Sequence, residues 1–305
     1  MPKEIFGHGY DFLPHEEILT FEEITRLARI FVGLGVEKVR LTGGEPLLRR
    51  NLDRLVKQLA GIDGLQDLTL TTNGSRLAEE AQALRAAGLQ RLTVSVDAID
   101  DQIFRAMNDV DFPVDRVLRG IEAALAAGFR PIKINMVVRR GVNEGQIGPM
   151  VERFRGREFI LRFIEYMDVG NSNGWHLADV VPAAEIMERI EAVLPLAPLK
   201  ANYRGEVARR YRHADGGEVG VIASVSQPFC SDCTRARLSA DGRLFTCLFA
   251  SQGMDLRTPL RAGATDGELA QLIARVWRLR GDRYSEIRSE QTVHQPKAEM
   301  SFLGG

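Results

Sequence analysis

Cysteine is nearly missing from this chain, with three in 305 residues. So few thiols cannot staple a fold of this length, which excludes a disulfide-built scaffold. Net charge is scarce as well. Forty Lys and Arg stand against 41 Asp and Glu, a formal −1 with pI about 6.6. No overall field therefore recruits nucleic acid or an anionic membrane, and neither is expected as a partner. Long apolar runs are missing too, since no stretch reaches the roughly 18–20 residues that span a bilayer. The opening MPKEIFGHGYDF lacks the basic segment and apolar run of a secretory leader. Reduced thiols fit a cytoplasmic setting. What the chain does have is 45% hydrophobic residues, enough for one large domain or a barrel with a smaller extension.

The few cysteines are concentrated. All three fall within FCSDCTRARLSADGRLFTC, as Cys230-x2-Cys233-x13-Cys247. A two-residue loop between thiols is the spacing of a metal or iron–sulfur site. Two readings stay open. A structural zinc wants a fourth ligand, and the nearest histidines in sequence are the distant His213 and His294. A cubane on three thiolates instead leaves one iron free to bind a ligand.

The first two-thirds of the chain reads as repeated strand–helix units. Thr20 and Glu23 form a capping box ahead of the apolar-periodic ITRLARIFVGLG. Strands are expected at 37–43, 65–73, 90–97, 130–138 and 158–167, and helices at 51–62, 78–88, 114–128 and 144–154. This recurrence predicts a parallel α/β sheet with right-handed crossovers, either a barrel or an open sheet.

Alternation along the strands says more. Residues two apart share a face. Lys38, Arg40 and Thr42 oppose Val39 and Leu41; Thr69, Thr71 and Asn73 oppose Leu68, Leu70 and Thr72. Thr93, Ser95 and Asp97 oppose Leu92, Val94 and Val96, and Lys133 with Asn135 opposes Ile132, Ile134 and Met136. Parallel strands covered on both sides should be apolar throughout. One shared polar face carrying Lys38, Arg40 and Lys133 predicts a wet lumen for an anionic ligand such as a nucleotide phosphate. A solvent-facing sheet is the plainer alternative. Gly43-Gly44-Glu45-Pro46 follows the first of these strands, and its glycines would let backbone approach a ligand closely.

Taken in order, LTGGEPLLR, LTTNG, TVSVDA, IKINMVVRRGVN, RFIEYMDVGN, the cysteine cassette with TRAR, and the final MSFLGG resemble the molybdenum cofactor biosynthesis protein A family. Its members are radical S-adenosylmethionine (SAM) GTP 3′,8-cyclases, and the resemblance runs from Met1 to Gly305. It implies a partial (β/α)6 TIM-like barrel over 1–195 and a C-terminal iron–sulfur cluster and GTP-binding domain over 196–305. It implies that Cys230, Cys233 and Cys247 ligate a [4Fe-4S] cluster. Arg40, Thr71, Lys133, Arg235, Ala236 and Arg237 would bind GTP, with Lys38 and Arg162 assisting. Gly44, Glu45, Ser95 and Met167 would bind SAM. The tail Gly304-Gly305 would reach toward the active site. Expected partners are GTP, SAM, a second copy in a homodimer, and the downstream cyclic pyranopterin monophosphate synthase.

The family also carries C-x3-C-x2-C near its start, ligating a second [4Fe-4S] cluster that binds SAM, and typically followed by Met-Pro. This sequence begins Met1-Pro2 and contains no such motif. The expectation is therefore a barrel missing its first strand, with an aggregation-prone edge beside GGEP. Two functions remain open: the cyclase, converting GTP to (8S)-3′,8-cyclo-7,8-dihydro-GTP, or a one-cluster GTP-binding remnant. A Schiff-base lyase using Lys133 lacks support, because hydrophilic neighbours are not expected to lower its pKa. Trp175 and His176 read as packing and surface residues, the basic run at 275–283 as a solvated helix face, and Asp97 as equally suited to capping or catalysis.

Overall fold

The computed structural model describes residues 13–171, 173–227, 230, 232–288 and 297–303. The first twelve residues, His294 and Gly304-Gly305 lie outside the described residues. The capping box forms as expected. Thr20 Oγ1 accepts the Glu23 N–H at 3.1 Å, and the Glu23 carboxylate accepts the Thr20 N–H at 2.8 Å, opening α1 (Phe21–Gly33).

Strands and helices then alternate: β1 (Lys38–Leu41), α2 (Leu52–Ala60), β2 (Asp67–Thr72), α3 (Leu77–Ala86), β3 (Arg91–Ser95), α4 (Asp101–Asn108), α5 (Val114–Ala126), β4 (Ile132–Val138), α6 (Ile147–Arg153), β5 (Phe159–Glu165) and α7 (Ala183–Glu191). The helix expected at 144–154 is a 3₁₀ turn at Glu144–Gln146 leading into α6. Helix α4 was not anticipated. Asp100 caps it by accepting the Ile103 N–H at 2.9 Å, and Phe104 alone is buried along it.

The sheet does not stop at residue 195. After β6 (Leu196–Leu199) and β7 (Arg209–His213), β8 (Glu218–Ile222) inserts beside β5. The order is β1-β2-β3-β4-β5-β8-β7-β6, parallel from β1 to β8 and antiparallel beyond. A smaller sheet holds β9 (Arg237–Leu238), β10 (Arg243–Phe245) and β11 (Met254–Asp255). Helices α8 (Arg257–Arg261), α9 (Asp266–Arg278), α10 (Tyr284–Ile287) and α11 (Met300–Leu303) complete the described chain.

One face of the large sheet is apolar. Leu70, Leu92, Val94, Ile134 and Phe163 have no exposed surface, and they belong to one core with the inward stripes of α2, α3, α5 and α7. Burying each such side chain is worth about 1.5–3 kcal/mol. The sheet is also curled. In a flat sheet β1 and β5 would stand about 19 Å apart, four spacings of roughly 4.8 Å. Yet the Lys38 ammonium of β1 lies 5.7 Å from the ring of Tyr203, in the loop between β6 and β7 at the other side of the sheet, and the charge of Arg162 on β5 acts on Arg40 of β1. The polar face is thus the concave one, giving a partial barrel with β1 at the sheet edge among the described residues. That edge is four residues long and carries Lys38 and Arg40, features that discourage edge-to-edge pairing.

Helix α1 belongs to two cores. Ala28 joins the main one. Leu27 and Ile30, with Leu19, join a second formed by Leu244, Leu256, Leu260, Leu269 and Ile273. Arg26 pairs with Asp266 at 2.7 Å, and Arg261 with Glu23 at 2.7 Å, around its rim.

Candidate active site

The strand register stacks the polar residues in rows. Arg40, Thr69 and Arg91 are neighbours across β1, β2 and β3. Thr71, Thr93 and Lys133 form the next row, and Ser95, Asn135, Arg162 and Gly220 the one after. Five cations, Lys38, Arg40, Arg91, Lys133 and Arg162, thereby share one basin. Asp67 partly neutralises it, accepting from Arg91 and lying 3.1 Å from Lys38. Lys133 and Arg162 are buried, at 9% and 8% exposure. Arg40 is exposed, yet its pKa is lowered by desolvation and then by the charge of Arg162.

Among the described residues, several buried polar atoms here have no partner: Thr69 Oγ1, Thr71 Oγ1, Asn135 Oδ1 and Arg162 Nε. Such orphans are costly and call for a polar ligand. Desolvation, then the charge of Arg162, pushes Lys133 down to about 7. That corrects the expectation that hydrophilic neighbours would spare it: the neighbours are like charges in a buried basin. An incoming polyanion favours protonated Lys133, so binding above that pKa must take up a proton. GTP should therefore bind about tenfold more weakly at pH 8.5 than at pH 7 in this chain, while Lys133→Arg flattens the profile. Titration calorimetry in buffers of different ionisation heat would measure the proton uptake. Equal profiles for the two proteins would exclude Lys133 as the titrating group.

At the mouth of the basin lies the GGEP turn. Gly44 is exposed, and a side chain built at Gly43 would meet nothing within 4 Å among the described residues. Glu45 is more occupied than its expected ligand role implies. Its carboxylate accepts the Leu47 N–H at 3.0 Å, the Thr72 hydroxyl at 2.7 Å and the Asn73 N–H at 2.7 Å. It pins the turn to the end of β2, and burial raises its pKa. Ser95 ends β3 half-buried in the Asn135 row. Met167 follows β5, its carbonyl accepting Asn173 Nδ2 at 2.8 Å. Trp175 donates to the Tyr166 carbonyl at 2.8 Å, in keeping with packing. Asp97, pushed by burial to about 6, accepts the Val137 N–H at 2.8 Å and ties β3 to β4.

One loop ties the cysteine cassette to the basin, with the Tyr203 ring 5.7 Å from Lys38 and Gly205 against the Asp232 carbonyl. Cys230, Cys233 and Cys247 are free and half-buried, and the Cys233 N–H donates to the Cys230 carbonyl at 3.1 Å. Arg235 donates to Cys233 Sγ at 3.2 and 3.3 Å, and Arg280 to the Cys233 carbonyl. Burial pushes the Cys233 thiol up, but Arg235 and Arg280 outweigh it and hold the pKa at about 7. Burial raises that of Cys247, with Asp282 and Cys230 adding to it. Arg237 falls to about 10 through burial and Arg235, while also sensing Cys233, Cys247 and Arg40. Ala236 is exposed between the two arginines. Among the described residues, no three His, Cys, Asp or Glu stand as a closed metal cage. The donor chemistry nonetheless fits an iron–sulfur cluster, with three thiols, N–H donors to sulfur and cations that favour thiolate. These 305 residues hold no further thiol.

Some of this site carried no sequence signal. Arg91 completes the basin from a strand already expected. Arg280 belongs to the run expected to be solvated. Arg275 and Arg278 are exposed as anticipated, but Arg280 turns inward under Cys233.

Comparison with known proteins gives the relation. Residues 6–154 match the Radical SAM superfamily model, and residues 159–286 match Molybdenum Cofactor Synthesis C. The GTP 3′,8-cyclase of Acidothermus cellulolyticus is 57% identical, covering 100% of this chain and 91% of its own. That of Xanthomonas campestris is 54% identical, over 100% and 89%. The Staphylococcus saprophyticus protein of that name is 48% identical, over 100% and 91%. Among solved structures, a radical SAM methyltransferase from Sphaerobacter thermophilus superposes with a TM-score of 0.44 at 18% identity, over 57% of this chain and 52% of its own. Identity of this order along the whole chain leaves one conclusion: the chain belongs to the radical SAM GTP 3′,8-cyclase family.

Proposed function

We infer that this chain is a GTP 3′,8-cyclase of molybdenum cofactor biosynthesis, a lyase that turns GTP into (8S)-3′,8-cyclo-7,8-dihydro-GTP with SAM as its radical source. The observation that carries the reading is that the cation basin and the cassette adjoin, one loop placing the Tyr203 ring 5.7 Å from Lys38 and seating Gly205 against the Asp232 carbonyl. A ligand anionic at one end and resting on a metal-binding cassette at the other fits that span. GTP is such a ligand.

The residues divide the work by chemistry. Arg40, Lys133, Lys38 and Arg162 hold the triphosphate, and Thr71 supplies a hydroxyl beside them. Arg235, Ala236 and Arg237 line the base end. Cys230, Cys233 and Cys247 hold a [4Fe-4S] cluster, which supplies an open iron to the guanine when bound. Gly44, Glu45, Ser95 and Met167 form the SAM side. The division into 1–195 and 196–305 is one of roles, the first part holding SAM and phosphates and the second the cluster and base, within a sheet shared by both. Among the described residues no helix is long and apolar enough to cross a membrane. A cytoplasmic homodimer handing its product to cyclic pyranopterin monophosphate synthase completes the proposal.

The count of three cysteines favours a second reading, a one-cluster chain that binds GTP without turning it over. Both readings require the phosphate basin. Arg40→Ala should weaken GTP by about 1.5–3 kcal/mol, the loss of a charged hydrogen bond, and leave guanosine binding nearly unchanged. Equal losses for the two ligands, measured by calorimetry, would contradict the phosphate role.

A further inference from the structure

The loop between β6 and β7 touches both halves of the site. Its Glu206 carboxyl is 2% exposed and meets Arg162 Nη2 at 3.5 Å. It also accepts the Asn202 N–H at 2.6 Å and lies 4.0 Å from Arg210 Nε. Glu206 is the foremost charge acting on Arg162, ahead of Tyr203, Glu218 and Arg91. On β8, Gly220 abuts the arginine stem, where a Cβ would sit 3.4 Å from Arg162 Cγ. One carboxylate thus holds one edge of a buried guanidinium while its Nε stays unsatisfied.

The same loop rests on the cassette. Gly205 has φ +80°, and a Cβ there would come within 2.5 Å of the Asp232 carbonyl and 3.2 Å of Thr234 Oγ1. A side chain at this point would lift the loop from the Cys230–Cys233 turn. Next to it, the Tyr203 ring lies 5.7 Å from the Lys38 ammonium. Contacts from Tyr203, Gly205 and Glu206 therefore join the loop to β1, the cysteine turn and β5.

We propose that Glu206 is a positioning residue for nucleotide recognition, fixing Arg162 so that its free edge meets a phosphate, with Gly205 seating the loop on the cysteine turn. This rests on the GTP reading above. A buried cation among like charges needs a partner to keep one geometry, and a pre-set guanidinium fork loses less freedom when it binds. The proposal also runs against simple electrostatics. Removing a carboxylate from a basin that binds a polyanion should tighten binding if charge alone mattered.

The test is GTP and guanosine binding by the reconstituted full chain and its variants. Glu206→Ala should bind GTP about tenfold more weakly and guanosine as before. Adding Glu206→Ala to Arg162→Ala should cost nothing further, a coupling that a merely structural role would not produce. If the alanine variant does not fold, Glu206→Gln keeps the shape and should weaken GTP roughly threefold. GTP binding as tight as or tighter than the parent chain in the folded variant overturns the proposal, as do additive losses. Failure of the parent chain to bind GTP would instead overturn the functional reading on which it rests.

Discussion

Replacing Cys233 by alanine should strip the chain of its iron. Anaerobic reconstitution of the parent chain should give about four iron per chain with broad visible absorption, whereas two remaining thiolates rarely retain a cubane. The Cys233 thiol is held near 7 by Arg235 and Arg280 against the effect of burial. Its loss removes a ligand and takes the sulfur away from the Arg235 guanidinium, while the Arg280 bond to the backbone carbonyl can remain. The fold should survive, because none of the three cysteines belongs to either apolar core. An unchanged circular dichroism spectrum and a melting point within a few degrees would accompany the loss of iron. Zinc near one per chain, with no visible band in the parent, would sink the cluster reading.

The 305-residue chain, given SAM, dithionite and GTP, should yield no 5′-deoxyadenosine above background. A cluster that binds SAM needs three ligands and an open iron. All three thiols of this sequence sit in the cassette, and the lumen offers no other thiolate to replace them. Placing a segment with C-x3-C-x2-C ahead of Met1 should add a second set of about four iron and produce cyclised GTP. The comparison separates the two readings of function, since GTP binding is expected in both. Turnover by the unextended chain would show that other groups can serve the SAM side.

Much of the basin could be read from the sequence because its pattern has period two. Lys38 and Arg40, Thr69 and Thr71, and Lys133 and Asn135 alternate with leucine, valine and isoleucine, and the register then lines them up. The strands that finish the sheet have no such signature. LAPL of β6 contains Pro198, tolerable only at an edge, and RRYRH of β7 is charged on both faces. Helix α4 escaped notice because DQIFRAMN buries only Phe104. Glu206 and Tyr203 sit in a loop, where residues far apart in sequence meet and no local period marks them. The lowered pKa of Lys133 was illegible for a related reason. It depends on Arg162 and Arg91, two strands that the sequence does not place side by side.

Helix α1 imposes an order on synthesis. Its Leu27 and Ile30, with Leu19, leave the ribosome early, yet the residues that cover them, from Leu244 to Ile273, come last. At roughly 5–20 residues per second, the intervening stretch of about 200 residues takes on the order of 10–40 s to make. During that time an apolar stripe on a finished helix has no cover, and the nascent chain offers it to any holdase within reach. Slowed translation of the last 60 or so residues should therefore lower the yield of soluble chain more than the same delay placed within the strand–helix repeats.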